Sequence, residues 1–439
     1  MSPTTPKIAI VGAGPVGLTF AAILHRNGIK STIFERESSA TVRAQGGTLD
    51  IHAETGQQAL IAAGLLSEFW KVSRPEGEAT RIVKRDGTVL LDENENQSPQ
   101  PEDQSTAGQE EAQQEARGRP EIDRRDLKDL LIAALPKETI RWGKGIASAT
   151  PVPGSTQWIL NFLGQSADEN QKDKEAGPYD LVLGADGAWS KIRPLLTDVR
   201  PLYSGVTALD VWISPENLAE RPDVARFIGG GSCMMMDEDR FASFQRHSDG
   251  SARCYACVRT RRTLGGEPPL ARELLQLSEE EVKSLPGGEV DWKDEKVRER
   301  FLDTQFAGWT KEFRNAVLAM TEQPLLRPLY MLPVGHRWEG RPGVSLLGDA
   351  AHVMTPFAGV GVNVGMVDAK ELAEGIVEYV RGDRKGGEEL AKVLRKYEEG
   401  MFERSAKDAE FTFKMMELEF QKDGCEKMRD IMTGVQPPA

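Results

Sequence analysis

An unbroken apolar run, Ile8-Ala9-Ile10-Val11, leads straight into a turn built on Gly12, Gly14 and Gly17. Such a run, bounded by glycine, predicts a short strand buried on both faces. Leu18 to Asn27 has helical composition and stops at Gly28; Lys30 to Phe34 is a second strand, ended by Glu35. Strand, helix and strand together predict a βαβ unit. Residues 55–71 read as a helix stopped by Gly64, followed by a short second one. Arg81 to Lys84 and Val89 to Leu91 flank Asp86-Gly87, a hairpin signal. Leu127, Leu130, Leu131 and Leu135 recur at helical spacing and predict a helix over 121–135.

Beyond residue 200 the period changes. The runs 232–236, 240–247 and 252–259 are short, separated by turns, and predict an antiparallel sheet, with helical stretches near 215–225. Residues 268–323 mix helix and loop. Val344 to Leu347 is a strand, Val362 to Val380 a helix, and Lys392 to Met432 a long helical pattern broken near Gly424. Two stretches carry no apolar period. Residues 92–118 hold eight acidic side chains and one basic one, and 165–177 are also polar and charged. The first cannot bury enough surface to offset its ordering entropy and is expected to be a disordered acidic loop.

With 439 residues, two domains are the expectation. A formal charge of −13 without a basic tract argues against nucleic acid and anionic membrane as partners. Met1 to Pro6 is polar and the first apolar run is a strand, so a signal peptide is not expected; nor does any run approach a membrane span. Four cysteines make no disulfide framework. Cys254 and Cys257 form a CxxC, but in a strand residues three apart point to opposite faces, so neither redox nor metal chemistry is expected. A reducing, cytoplasmic compartment fits, and a monomer is expected.

The candidate chemistry lies in three segments. Gly12-Ala13-Gly14-Pro15-Val16-Gly17 sits between strand and helix. There glycines permit a tight turn and close approach of backbone to a pyrophosphate, whose charge the helix N-terminus favours. Glu35, at the end of the second strand, can bind both hydroxyls of an adenosine ribose and repels a 2′-phosphate, which suits FAD or NAD rather than NADP. Asp186-Gly187, with Ser190 and Arg193, follows the apolar strand 180–183 and on its own reads better as an ordinary strand-to-helix turn capped by Asp186 or Ser190. In Gly348-Asp349-Ala350-Ala351-His352, Asp349 ends a strand where its carboxylate can reach a polyol hydroxyl. Pro356, Gly359, Gly361, Val362 and Asn363 then open a helix whose N-terminus can stabilise negative charge on a reduced ring. His352 reads as structural rather than as a catalytic base.

These segments resemble the GxGxxG, DG and GD motifs of the aromatic-hydroxylase (class A) group of flavoprotein monooxygenases. Gly46-Gly47-Thr48-Leu49-Asp50-Ile51-His52, Gly56-Gln57 and Arg119-Pro120-Glu121-Ile122-Asp123-Arg124 resemble the tetracycline-inactivating branch. The likeness covers most of residues 7–200 and 325–380. It implies an α/β fold: a glutathione-reductase-like Rossmann FAD domain, a substrate domain built on an antiparallel sheet, and a C-terminal helix. The domains would be 1–72, 119–200 and 325–390 for FAD; 73–91 and 201–324 for substrate; and a helical segment at 391–439.

FAD is the implied cofactor and NADPH the co-substrate, reaching the flavin without a Rossmann unit of its own. The implied reaction is hydroxylation of a small aromatic or polycyclic molecule by O2 through a C4a-hydroperoxyflavin, with no side chain required as catalyst. Glu35 and Arg36 would hold the adenosine end; Arg124 and Asp349 the ribityl chain; Gly47 and Asp50 would lie near the ring; Arg43 and Gly187 would also bind the cofactor; Asp186 and Arg193 would serve binding and reduction. Pro356 and Gly359 to Asn363 would line the place where oxygen reacts, and Phe357 would border the substrate. On the sheet, Phe227, Met235, His247 and Tyr255 are the substrate candidates. Two other classes stay open: a flavin oxidase or dehydrogenase without oxygen insertion, separable by labelled O2, and a non-catalytic flavoprotein that binds without turnover.

Overall fold

The computed structural model describes residues 5–42, 46–94, 115–164, 175–261, 263–383 and 386–435. The bulk of the expected acidic loop (95–114), part of the second polar stretch (165–174) and Arg43 lie outside these residues. The chain divides into two compact units, one drawn from Met1–Ser73, Gln104–Pro201 and Met331–Thr412, the other from Arg74–Asp103, Leu202–Tyr330 and Phe413–Ala439.

The first unit is built on a five-stranded parallel sheet. Its order is Val344–Leu346, Leu181–Gly184, Ile8–Val11, Ser31–Phe34 and Ile140–Arg141. Ile8–Val11 is buried at every position, as its unbroken apolar run requires. The helix Pro15–Arg26 covers it, with Leu18, Phe20, Ile23 and Leu24 fully buried. Each such side chain contributes roughly 1.5–3 kcal/mol by leaving water. The helices Gly56–Ala63 and Leu66–Val72 are separated by Gly64 at φ 75°, the left-handed stop read from the sequence.

Two expectations in this unit need correction. The helix expected over 121–135 spans only Arg124–Ala133, because Glu121–Asp123 is a strand paired antiparallel with Thr48–Asp50. The alternation of that strand is too short to compete with the leucine period downstream of it. Within 165–177, read as loop, Glu175–Tyr179 is a strand pairing with Trp158–Phe162, and the pattern is hidden because its sequence is EAGPY.

The second unit is a seven-stranded sheet ordered Leu325–Met331, Leu202–Ile213, Ala252–Arg259, Arg240–Arg246, Ser232–Asp237, Thr80–Val83 and Val89–Asp92. The three middle pairings are antiparallel; Thr80–Val83 runs parallel to Ser232–Asp237 and forms the expected hairpin with Val89–Asp92. Leu209, Val211, Ile213, Cys233, Met235, Ala242, Phe244, Cys254 and Ala256 lie in one core with Val224 and Ile228 of Pro222–Ile228, Phe301 of Glu295–Gln305, and Phe313 and Val317 of Lys311–Leu318. Strand alternation puts the intervening side chains on the opposite face. No helix among the described residues is long and apolar enough to cross a membrane.

Candidate functional site

The sheet order of the first unit collects the three motifs. Asp349, Ala185-Asp186, Gly12 and Glu35 each lie just beyond the C-terminal end of one of four neighbouring parallel strands. The crevice outside these strand ends is where open α/β sheets bind ligands. Backbone hydrogen bonds lock the turns together: Ala185 N–H to Val11 O at 2.8 Å, Leu347 N–H to Gly184 O at 2.8 Å and Gly12 N–H to Phe34 O at 2.9 Å.

The glycines divide by physical cause. Gly12 has φ 105°, and a Cβ there would sit 2.5 Å from Ala185 O. A Cβ on Gly17 would sit 2.4 Å from Gly12 O. Packing within the protein therefore requires both. Gly14 differs: its φ is −78°, ordinary for any residue, and no protein atom lies within 4 Å of a Cβ built there. Gly361 is equally clear of protein, and so is Gly187, which has φ 78°. Pro15 is the first residue of the helix Pro15–Arg26 and Gly14 its cap. That helix and Gly361–Arg381 both begin without a side-chain cap or an acid in the first turn, leaving their N–H groups and positive dipole ends unopposed. Val16 joins them, since a Cβ on Gly365 or Gly348 would meet its Cγ2 at 2.6 and 3.0 Å.

Side chains complete the cradle. Glu35 accepts the Ala13 N–H at 2.7 Å and the Glu37 N–H at 3.0 Å, which fixes the carboxylate against the glycine turn; Arg36 beside it is exposed. Asp186 Oδ2 accepts the Lys191 N–H at 2.6 Å, while Oδ1 is buried without a partner among the described residues. Burial pushes this carboxyl above its ordinary value, against the pull of Ser190, Lys191 and Arg193. The Asp349 side chain is exposed between the buried Gly348 and Ala350. Pro356 and Gly359 are exposed; Phe357, Gly361 and Val362 are half-buried.

Other candidates are taken up by the protein itself. Arg193 is 3% exposed, and its guanidinium donates to the carbonyls of Ala350 (2.7 Å), Ala188 (2.7 Å) and Asp349 (3.1 Å). It clasps the second motif to the third. Asn363 Oδ1 accepts the His52 N–H at 2.9 Å and its Nδ2 donates to Asp50 O at 2.8 Å, tying the helix start to the segment 50–55. Asp50 holds His52 Nε2 at 2.8 Å and Arg119 Nη2 at 2.7 Å. Burial works against its charge, but these two partners bring its pKa below the ordinary value. Gly47 is buried. Arg124 starts the helix Arg124–Ala133, and its guanidine stem lies 3.0 Å from where a Gly46 Cβ would be. His52 and Arg119 were missed as site residues, although both fall inside the segments that carry the family likeness.

In the second unit the four substrate candidates separate. Met235 is fully buried in the core beneath the helices, and Phe227 packs there edge-on to Phe244 at 5.5 Å. Met235 is on the helix-covered side of the sheet, one residue out of phase with the opposite face, whereas Phe227 is not on the sheet but on the covering helix Pro222–Ile228. Tyr255 is on the opposite face, and His247 stacks on Trp212 of that face at 4.9 Å. Missed by sequence reading is the charge cluster between them. Asp210, 4% exposed, accepts Arg253 Nε at 2.7 Å and Nη2 at 2.6 Å, and also pairs with Arg327 Nε. The Arg253 guanidinium lies 5.8 Å from the Trp212 ring and 5.5 Å from that of Tyr255. Cys254 belongs to the helix-side core and Cys257 does not; both are free, and burial raises both thiols well above their ordinary value.

Comparison with known proteins bears on this geometry. The model of an FAD binding domain family (FAD_binding_3) matches residues 5–125 and 337–404. Monooxygenase asqM of Emericella nidulans is 33% identical over 84% of this chain and 83% of its own length. Monooxygenase penA of Penicillium thymicola is 29% identical over 97% and 98%. The fold is shared with the crystal structure of tetracycline destructase Tet(55), at TM-score 0.66 and 18% identity over 99% of this chain and 96% of that one.

Proposed function

The chain belongs to the FAD-dependent monooxygenases, and we propose that it uses NADPH and O2 to hydroxylate a small aromatic or polycyclic molecule. The observation that carries this reading is the convergence of Gly14, Glu35, Asp186 and Asp349 at the ends of adjacent parallel strands, with open space in front of Gly14 and Gly361. The residues fit FAD. Two uncapped helix starts suit its phosphates and the electron-rich end of its ring; Glu35 suits the adenosine ribose; the exposed Asp349 suits the ribityl hydroxyls.

Bound FAD supplies hydride acceptance from NADPH and transfer of one oxygen atom of O2, the other leaving as water. The protein supplies position and field. Asp349 orients the ribityl chain by charge-assisted hydrogen bonds, and Arg193 keeps the Asp349 and Asp186 turns in register. The N-terminus of Gly361–Arg381 stabilises negative charge that develops on the reduced ring. Pro356 and Phe357, on the turn before that helix, would border the reacting face.

The face of the second unit's sheet away from its helices supports an aromatic substrate bearing an acidic or strongly accepting oxygen. Trp212 and Tyr255 put aromatic rings there with the Arg253 guanidinium beside both, and Arg327, anchored through Nε to buried Asp210, keeps its terminal amino groups for a ligand. Four buried free cysteines support a reducing, cytoplasmic compartment. The test is NADPH consumption by the FAD-loaded enzyme against phenols, polyketides and tetracyclines under labelled O2. One labelled oxygen in the product supports the reading. Substrate-stimulated NADPH oxidation without incorporation would make the chain an oxidase, and binding without turnover a sequestering flavoprotein.

A further inference from the structure

Asp368 is a fully buried acid on the helix Gly361–Arg381, and none of the three motifs includes it. Its Oδ2 accepts the backbone N–H of Gly348 at 3.1 Å and lies 2.5 Å from His352 Nε2. Its Oδ1 accepts Arg404 Nη2 at 2.9 Å. Arg404, on the helix Gly387–Glu419, is held in turn by both oxygens of Glu371 at 2.8 Å. One carboxylate thus grips the residues before and after the Asp349 turn, Gly348 through its backbone and His352 through its ring. With His352 protonated, the two cations His352 and Arg404 face the two carboxylates Asp368 and Glu371. Burial opposes the charge on His352, but Asp368 more than offsets it and holds the imidazole above its ordinary pKa; Asp349 adds to this, and Asp408 also faces the ring.

Geometry makes the carboxylate hard to replace. Asp368 reaches strand end, turn and neighbouring helix only because its helix begins at Gly361 and lies against Val16 and Gly348. If the carboxylate loses Arg404, it becomes an under-compensated buried charge, and relief comes from water entry or movement of the turn. Either displaces Asp349, whose side chain is exposed and whose backbone carbonyl Arg193 also holds.

We propose that Asp368, steadied by Arg404, is a positioning residue for FAD: it fixes the turn that presents Asp349, so a side chain of the helix Gly387–Glu419 sets how tightly the cofactor is held. This goes beyond the functional reading and rests on it only for the identity of the cofactor.

The experiment is FAD titration of apoprotein by flavin fluorescence, together with melting of apo and FAD-saturated forms, for wild type, Arg404→Gln, Arg404→Lys and Asp368→Asn. Arg404 is only partly buried, so its variants keep the fold if Asp368→Asn does not. Arg404→Gln is expected to weaken FAD binding about tenfold or more, with Arg404→Lys recovering most of the loss because it keeps a charged donor. Lower apoprotein melting with FAD affinity within about twofold of wild type would reduce the cluster to a structural clamp and overturn the proposal. Arg404→Lys no better than Arg404→Gln would overturn it too. A wild-type chain that failed to bind FAD would instead strike the cofactor assignment itself.

Discussion

Replacing Arg193 by methionine tests whether one side chain holds two motif turns together. The three shortest bonds from its guanidinium, to Ala350 O, Ala188 O and Asp349 O, measure 2.7, 2.7 and 3.1 Å. Hydrogen bonds with a charged partner contribute roughly 1.5–3 kcal/mol each, so three bound the loss at roughly 5–9 kcal/mol. The net effect is smaller. Burial pulls the guanidinium below its usual pKa despite the Asp186 and Asp349 carboxylates, so methionine recovers a desolvation cost. Carbonyls at the open edge of the turn regain water. A net loss of about 3–5 kcal/mol is expected, the range for removing one partner from a buried charged contact.

Urea unfolding of the FAD-free protein reads this directly, as a lower midpoint at unchanged slope. Because the guanidinium is spent on carbonyls, reduction by NADPH should fall only as far as FAD occupancy falls. An apoprotein whose unfolding free energy stays within about 1 kcal/mol of wild type would refute the clamp. If such a variant were FAD-replete yet slow to accept hydride in stopped flow, Arg193 would have a direct part in reduction.

The other outcomes separate binding from stability. Asp349→Ala should leave apoprotein unfolding unchanged, since the side chain is exposed, but weaken FAD retention by the ~1.5–3 kcal/mol of a charge-assisted bond, roughly 10- to 150-fold; a yellow mutant with wild-type affinity removes that assignment. Gly14→Val should likewise fold, its φ of −78° being allowed and its Cβ unopposed, yet block FAD; calorimetry showing wild-type binding would mean the space before Gly14 is not the pyrophosphate's. Arg327→Gln should raise KM for an acidic aromatic substrate far more than it lowers kcat, and an unchanged KM argues against that sheet face. Glu419 is buried with Oε2 unpartnered among the described residues, and burial raises its pKa well above the carboxylate range. The folded state then binds the extra proton, so stability is lost as pH rises from the ordinary value through the raised one. Glu419→Gln should therefore stabilise the protein more at pH 8 than near the ordinary carboxylate value of ~4.3, and equal gains at both would contradict this.

The cofactor side was legible because its signals are local. A strand, a glycine turn and a helix are written contiguously, and Gly12 and Gly17 are required by contacts within a few residues or one strand away. What stayed hidden depends on distant partners. Asp368 is a lone acid between Val364 and Leu372 on an apolar helix face, a pattern that marks a buried charge without naming Arg404 or Gly348 as its partners. The same holds for Arg193. Its residue type suggested a ligand, whereas three carbonyls supplied by two separate turns consume its donors.

On the substrate sheet the difficulty was phase. Strand identity does not say which alternate residues face the helices, and a shift of one position exchanges the two sets. Met235 fell on the helix side because Cys233, Phe244, Cys254 and Ala256 complete that core, and Phe227 belongs to one of the covering helices, Pro222–Ile228, rather than to the sheet. The opposite side is then divided again. At one end Phe420 lies 6.0 Å from the Phe241 ring and accepts Arg259 Nη2 through its carbonyl, while Cys425 receives the Met236 N–H, so these positions are covered by the chain's own last helices. At the other end Asp210, Trp212, Tyr255 and Arg327 remain. Asp210 is buried, so a carboxylate there would be costly alone; it is stable only because two arginines meet it. Arg253 spends its Nε and Nη2 on that carboxylate, and Arg327 spends one donor. On the proposed reading, the terminal amino groups of Arg327 would favour an electron-rich ring that carries its own acceptor.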